Sequence, residues 1–276
     1  MIYTHRYAGS LEKGVLLRRY KRFLADVRTE SGRLLTIHCA NTGSMTNCAV
    51  TGSNVWFSRS ANRKRKYAHT WELAENQSGD LIGVNTGLAN HLVREAIENG
   101  TIRELADFDE MHSEVAYGEE KSRIDLLLTS SLTSSMTSST DNSCVNVNQS
   151  DAAANLHESE VVSSYVSYVE VKSVTLLDDT AGAGIGYFPD AVSSRGSKHL
   201  RELMKVHQQG HRAVLCYCVQ HTGIREVRPA DHIDKVYGET LRKAMAAGVE
   251  VIAYGTSISP EEIFIKDALP VVCQDP

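Results

Sequence analysis

Long apolar runs are missing from this chain of 276 residues. No stretch approaches the roughly 20 residues that cross a bilayer as a helix. The opening MIYTHRYAGSLEKG has no apolar core of the kind a secretory signal needs. These two gaps predict a cytoplasmic protein with no membrane partner. Paired cysteines are missing as well. Cys39, Cys48, Cys144, Cys216, Cys218 and Cys273 form no C-x-x-C pair and are too sparse for a disulfide scaffold, which suits a reducing compartment and argues against a zinc site. A working dinucleotide loop is absent too. GAGIG at 182–186 is followed by YFPD where a helix should begin, so no organic cofactor is expected.

What is present is a hydrophobic content of 42%, enough for a sizeable core in one large domain or two modest ones. The net charge of −5 conceals two opposed parts. Residues 1–80 hold 13 Lys and Arg against 6 Asp and Glu, a balance of +7, and the remainder holds 16 against 28, a balance of −12. A basic third on an acidic body calls for an anionic partner, of which nucleic acid is the commonest; a merely solvated basic surface is the other reading.

That basic third contains GVLLRRY, RFLADVRT, RLLTIHC, NVWFSRS and YAHTWELA, separated by Gly, Ser and Asn turns. Five short strands in so few residues predict a small barrel or sandwich, and a five-stranded OB-type barrel over 1–82 is the economical form. Arg63, Lys64, Arg65 and Lys66 lie between the last two strands, next to Tyr67, His69 and Trp71. The four cations are candidate phosphate contacts, while Tyr67 and Trp71 are expected in the barrel core. NTGSM at 41–45 reads as a structural turn.

From about residue 85 the pattern changes. Ala89, Leu92, Val93, Ala96 and Ile97 recur at helical spacing and Gly100 follows as a stop. Strand candidates SEVAYG, SRIDLLLT and SYVEVKSVT come next, then a helix from about 196 to 208, the strand RAVLCYCVQ, a helix ended by Gly248, and the strand VEVIAY. This order predicts a mixed sheet with helices on its faces, over 83–276. Residues 129–164 interrupt it with a Ser-, Thr- and Asn-rich run that cannot bury enough surface to offset its ordering entropy, so it reads as a flexible insertion in a hairpin loop.

The charges inside two of these strands carry the chemistry. Asp125 is embedded in RIDLLL, and burying an unpaired carboxylate is costly. Glu170 and Lys172 in YVEVKS are two apart and share one strand face. If the two strands pair, Asp125, Glu170 and Lys172 gather. Two adjacent carboxylates then suit a divalent cation, Mg²⁺ or Mn²⁺, with Lys172 holding a water or stabilising charge on a phosphate. The alternative is an ordinary cross-strand Glu–Lys salt bridge. Glu114 is a candidate further metal ligand, with a plain surface acid as the equal alternative. Asp190 leads into the helix that carries Arg195, Lys198 and His199, which either reach a phosphate at the edge of the site or simply form a polar helix N-terminus; Lys198 is a candidate DNA contact.

An acid on one strand and acid-x-Lys on the next resembles the PD-(D/E)xK nuclease superfamily, with Ile124 in place of the proline. A closer resemblance runs through RRYKRFLADV, HCANTGSM, SRSANRKRKYAHTWEL, GVNTGLANHLVREAIENG, EVAYGEEKSRIDLLL, YVEVKSVTL, FPDAVSSRGSKHLREL and GVEVIAY. In that order they resemble the sugar fermentation stimulation protein A family. The resemblance implies an OB-like barrel followed by a PD-(D/E)xK nuclease-like domain. It also implies binding of DNA, double-stranded, with low sequence specificity, and a regulatory role in sugar, especially maltose, metabolism. An active nuclease on DNA or RNA is the competing function.

Overall fold

The structure, a computed structural model, describes residues 5–7, 9–119, 122–132, 163–178 and 184–274. Among the described residues no helix is long and apolar enough to cross a membrane.

Alternating apolar and polar residues make strands of the first third. After β1 (His5–Arg6) come β2 (Glu12–Tyr20), β3 (Leu24–Thr29), β4 (Leu34–Cys39), β5 (Asn54–Arg59), β6 (His69–Glu75) and β7 (Leu81–Gly83). The inward positions Leu16, Val27, Ile37, Val55, Phe57 and Trp71 are all buried. β4 meets β6 in a short parallel pairing, His38↔Thr70 and Cys39↔Trp71, which closes the ring β2-β3-β4-β6-β5 into the expected OB barrel. Trp71 is a core residue whose Nε1 donates to Leu73 O at 2.8 Å, as a buried indole requires. β7 leaves the barrel, and Gly83 N donates to Gln220 O in the next module.

That module runs α1 (Leu88–Glu98), β8 (Glu110–Tyr117), β9 (Ser122–Leu132), β10 (Ser163–Val174), β11 (Leu176–Asp178), β12 (Ile185–Phe188), α2 (Ser194–Gln208), β13 (Arg212–Val219), β14 (Glu226–Pro229), α3 (Lys235–Ala246), β15 (Glu250–Ile258) and β16 (Glu262–Leu269). Its main sheet has the order β1-β16-β15-β13-β10-β9-β8. β13 lies parallel to both neighbours, and the remaining pairs are antiparallel. Helices cover both faces. Cys216 and Cys218 of β13 enter the core that includes α1, and Leu215, Tyr217 and Val219 enter the one that includes α2 and α3. A strand buried on both sides reads as a continuous apolar run. The five periodic residues of α1 are its buried face, and Gly100 beyond it has φ +76°.

Three features differ from expectation. β9 and β10 run further than the sequence indicated, because Thr129↔Val166 through Leu132↔Ser163 continue their ladder into the Ser-rich run; 133–162 of that insertion lies outside the described residues. α2 begins at Ser194, where Ser193 caps it by accepting from Gly196 N. A small sheet, β11-β12-β14, and the last strand β16 were not anticipated.

Candidate functional site

β9 and β10 pair as far as Val169↔Leu126. Beyond that point a side chain takes over from the backbone. Asp125 Oδ2 accepts from Val171 N at 2.7 Å, and Oδ1 accepts from Asn90 Nδ2 of α1 at 2.8 Å. Glu170, the residue before Val171, is 1% exposed. Its Oε1 accepts from Lys172 Nζ at 2.5 Å and contacts His199 Nδ1 of α2. Arg195 Nε donates to His199 Nε2 at 3.2 Å, which leaves the imidazole proton on Nδ1, facing Glu170. The three expected residues are therefore brought together, and His199 joins them.

The two carboxylates are driven apart electrostatically. Burial pushes Asp125 up, and the charge of Glu170 adds to it; the Val171 N–H, Lys172 and Asn90 oppose without prevailing. Burial also works against ionised Glu170, but the His199 hydrogen bond and the Lys172 charge outweigh it and hold this carboxyl below the usual range. Glu170 Oε2 is buried with no hydrogen-bond partner. An orphaned carboxylate oxygen beside a second carboxylate that resists ionising fits a hard divalent cation, since oxygen donors are what Mg²⁺ and Mn²⁺ prefer. Among the described residues no group of three or more His, Cys, Asp or Glu side chains is arranged to hold a metal.

Glu114 does not enter the group. It falls opposite Asp125, between the pairs Ser113↔Leu126 and Val115↔Ile124, but its backbone is left-handed at φ 57° and its side chain is exposed. Two residues not singled out beforehand stand nearer. Glu202 of α2 is fully buried with Oε2 unpartnered, and the backbone of Gly118 presses so close that a Cβ there would lie 1.5 Å from that oxygen. Tyr117 has a buried, unpartnered hydroxyl pushed up by burial and then by Glu170, Glu202 and Asp125. The signal was available in part. His199 and Glu202 are polar residues at i and i+3 on the face of α2 that also carries Leu200 and Leu203.

A cleft of about 280 Å³ adjoins this cluster, walled by Asn90 and Lys172 on one module and by Asn41, Thr42 and Gly43 of the barrel on the other. The NTGSM turn forms that wall. Arg19 donates to Asn41 O at 3.0 Å and Gly43 O at 2.9 Å. Asp190, after β12, clasps the turn from the opposite side. Its Oδ2 accepts from Met45 N at 3.1 Å and its carbonyl from Ser44 Oγ at 2.6 Å. A Cβ at Gly43 would lie 2.6 Å from Asp190 Oδ2, so any other residue there would have to push that carboxylate aside. Arg63, Lys64, Arg65 and Lys66 are exposed on the loop between β5 and β6, while Lys198 is half-buried on α2. In OB barrels the loop between the fourth and fifth strands is one of the ligand-binding loops, and β5 and β6 hold those places here.

Fold and site together define a class: an OB barrel joined to a mixed-sheet domain that carries an Asp and an acid-x-Lys pair side by side. The chain belongs to the sugar fermentation stimulation protein family. Residues 17–84 match its SfsA N-terminal OB domain, and 87–140 with 142–262 match the Sugar fermentation stimulation protein RE domain. A sugar fermentation stimulation protein homolog of Shewanella denitrificans is 50% identical over 267 residues, 97% of this chain and 99% of the relative. The homolog of Shewanella woodyi is 50% identical over 265 residues, 96% of this chain and 98% of the relative. The structure of Pyrococcus furiosus SfsA in complex with Ca²⁺ shares the fold at TM-score 0.77 and 23% identity, covering 99% of this chain and 100% of that one.

Proposed function

We propose that this protein binds DNA with low sequence specificity and presents its backbone to a divalent cation, Mg²⁺ or Mn²⁺, held by Asp125 and Glu170, for phosphodiester hydrolysis. The observation that carries this reading is the orphaned Oε2 of Glu170 beside an Asp125 carboxyl that burial and its neighbour push up. That the Pyrococcus furiosus relative is described in complex with Ca²⁺, another hard cation, supports it. When bound, the cation supplies a Lewis acid and an acidified water. The chain's own residues do the positioning. Asn90 and the Val171 N–H fix the Asp125 carboxylate, and His199 with Lys172 occupies Glu170 Oε1, so that Oε2 is the oxygen left for the cation. In this reading Lys172, which lines the cleft while paired with Glu170, turns its ammonium to the charge building on a phosphoryl oxygen when substrate is bound. DNA reaches the site through the phosphate contacts of Arg63, Lys64, Arg65 and Lys66. A regulatory role in sugar metabolism, maltose included, belongs to the same proposal and would act through the bound DNA.

One observation favours a second reading, in which DNA is bound without being cut. Lys172 is engaged with Glu170 and lies 3.3 Å from His199 Nδ1, which would keep its charge from a phosphate. Incubation with single- and double-stranded DNA and RNA, with Mg²⁺ or Mn²⁺ or with chelator, separates the two. Cutting that needs metal and vanishes in Asp125→Ala and Glu170→Ala supports hydrolysis. Binding without cutting under every condition removes it and leaves the second reading.

A further inference from the structure

The cleft beside Lys172 is built as a pocket, and its chemistry is that of a nucleotide site. At about 280 Å³ it stands near the lower end of small-molecule pockets, roughly 300–1,000 Å³, so it has room for one small unit and none for a stacked duplex. Its walls are fixed before any ligand arrives. Asp190 clasps the NTGSM turn, Arg19 holds two of that turn's carbonyls, and Thr86 Oγ1 donates to Ala40 O at 3.4 Å. The lining is mixed. Asn41, Thr42, Thr86 and Asn90 offer amide and hydroxyl groups, Lys172 offers a cation paired with Glu170, Asp190 brings a carboxylate whose Oδ2 is held on Met45 N, and Tyr187 offers a half-buried ring held edge-on to His232 at a centroid distance of 5.0 Å. Polar groups with an aromatic wall beside a single ammonium match a base, a sugar and a phosphate.

We infer that this pocket takes a single unpaired nucleotide, its base against Tyr187 and its phosphate toward Lys172. The inference rests on the proposed function and narrows its substrate to a strand end, or to a base drawn out of the stack, because a paired base cannot enter. Extruding a base costs least where pairing is already broken. Single strands and frayed ends are therefore acted on before intact duplex.

The test is titration of the full chain with thymidine monophosphate by calorimetry, in chelator so that no metal and no turnover contribute. The wild type should bind, and Tyr187→Ala and Thr42→Trp should each weaken binding roughly ten-fold or more, the scale of one lost base–aromatic stack. Thr42 is exposed, so its replacement fills the cleft without entering the core. No binding by the wild type, or binding equal in both variants, overturns the inference. Failure of the proposed function looks different. If no nucleic acid is cut with metal present, hydrolysis falls, and thymidine monophosphate binding lost in both variants still supports the pocket.

Discussion

Asp125 and Glu170 are neighbours whose surroundings shift them in opposite directions, and each leaves its own mark on stability. For Asp125 the folded state holds its proton more tightly than the unfolded chain does. Stability therefore falls as pH rises from the ordinary carboxylate pKa through the raised one. Asp125→Asn should remove that limb, so that Tm in chelator no longer falls as pH rises across this range, and should cost about 1 kcal/mol at acidic pH because its amide NH2 must face one of the two donors that Asp125 now accepts from. Added Mn²⁺ should raise Tm of the wild type and leave the variant unmoved, as thermal melts will show. For Glu170 the sign reverses. Its contribution is complete above the ordinary carboxylate pKa and is lost as pH falls through the depressed one. Glu170→Ala strands Lys172 and His199 and should cost about 3 kcal/mol in urea unfolding at neutral pH. The charged strand residues were legible because a carboxylate in an apolar strand has few reasons to be there. His199 was legible only as a polar residue near the site, since its partner Glu170 is 29 positions away and no local pattern marks the contact.

Between elements, the clasp of Asp190 on the NTGSM turn joins the two modules, and its parts depend on one another. Asp190→Ala should cost about 1–2 kcal/mol through the lost Met45 N–H bond. Gly43→Ala should cost about 1–3 kcal/mol by forcing a methyl against that same carboxylate. The double variant should cost less than their sum by at least ~0.5 kcal/mol, because removing the carboxylate makes room for the methyl; urea unfolding of all four proteins measures it. Elements with strong periodicity were readable in advance, as the five buried positions of α1 and the strands of the barrel show. β11, β12 and β14 were not. They have only 3, 4 and 4 residues, and β12 lies parallel to β14 some 40 positions on, so pairing with distant partners decides their state.

Across the whole molecule, the charge division maps onto the two modules and predicts how salt will act. Replacing Arg63, Lys64, Arg65 and Lys66 with Ser should weaken DNA binding and reduce the slope of log K against log salt by about 3–4, if all four meet phosphates. Fluorescence anisotropy over a salt series reads both quantities, and an unchanged slope would make the loop ordinary surface. The charge division and the barrel were visible in composition and strand spacing; the closing of the cleft by parts of both modules was not, because it depends on contacts such as Ser44 with Asp190, 146 positions apart. β8 is the outer strand of the seven-stranded sheet, with Glu110, His112 and Ser113 exposed along it. A free strand edge is a template on which a second molecule can add its own strand. The left-handed turn at Glu114 breaks that template midway. Glu114, outside the Asp125–Glu170 cluster, thus interrupts the row of backbone groups that the described residues of this edge present to another strand.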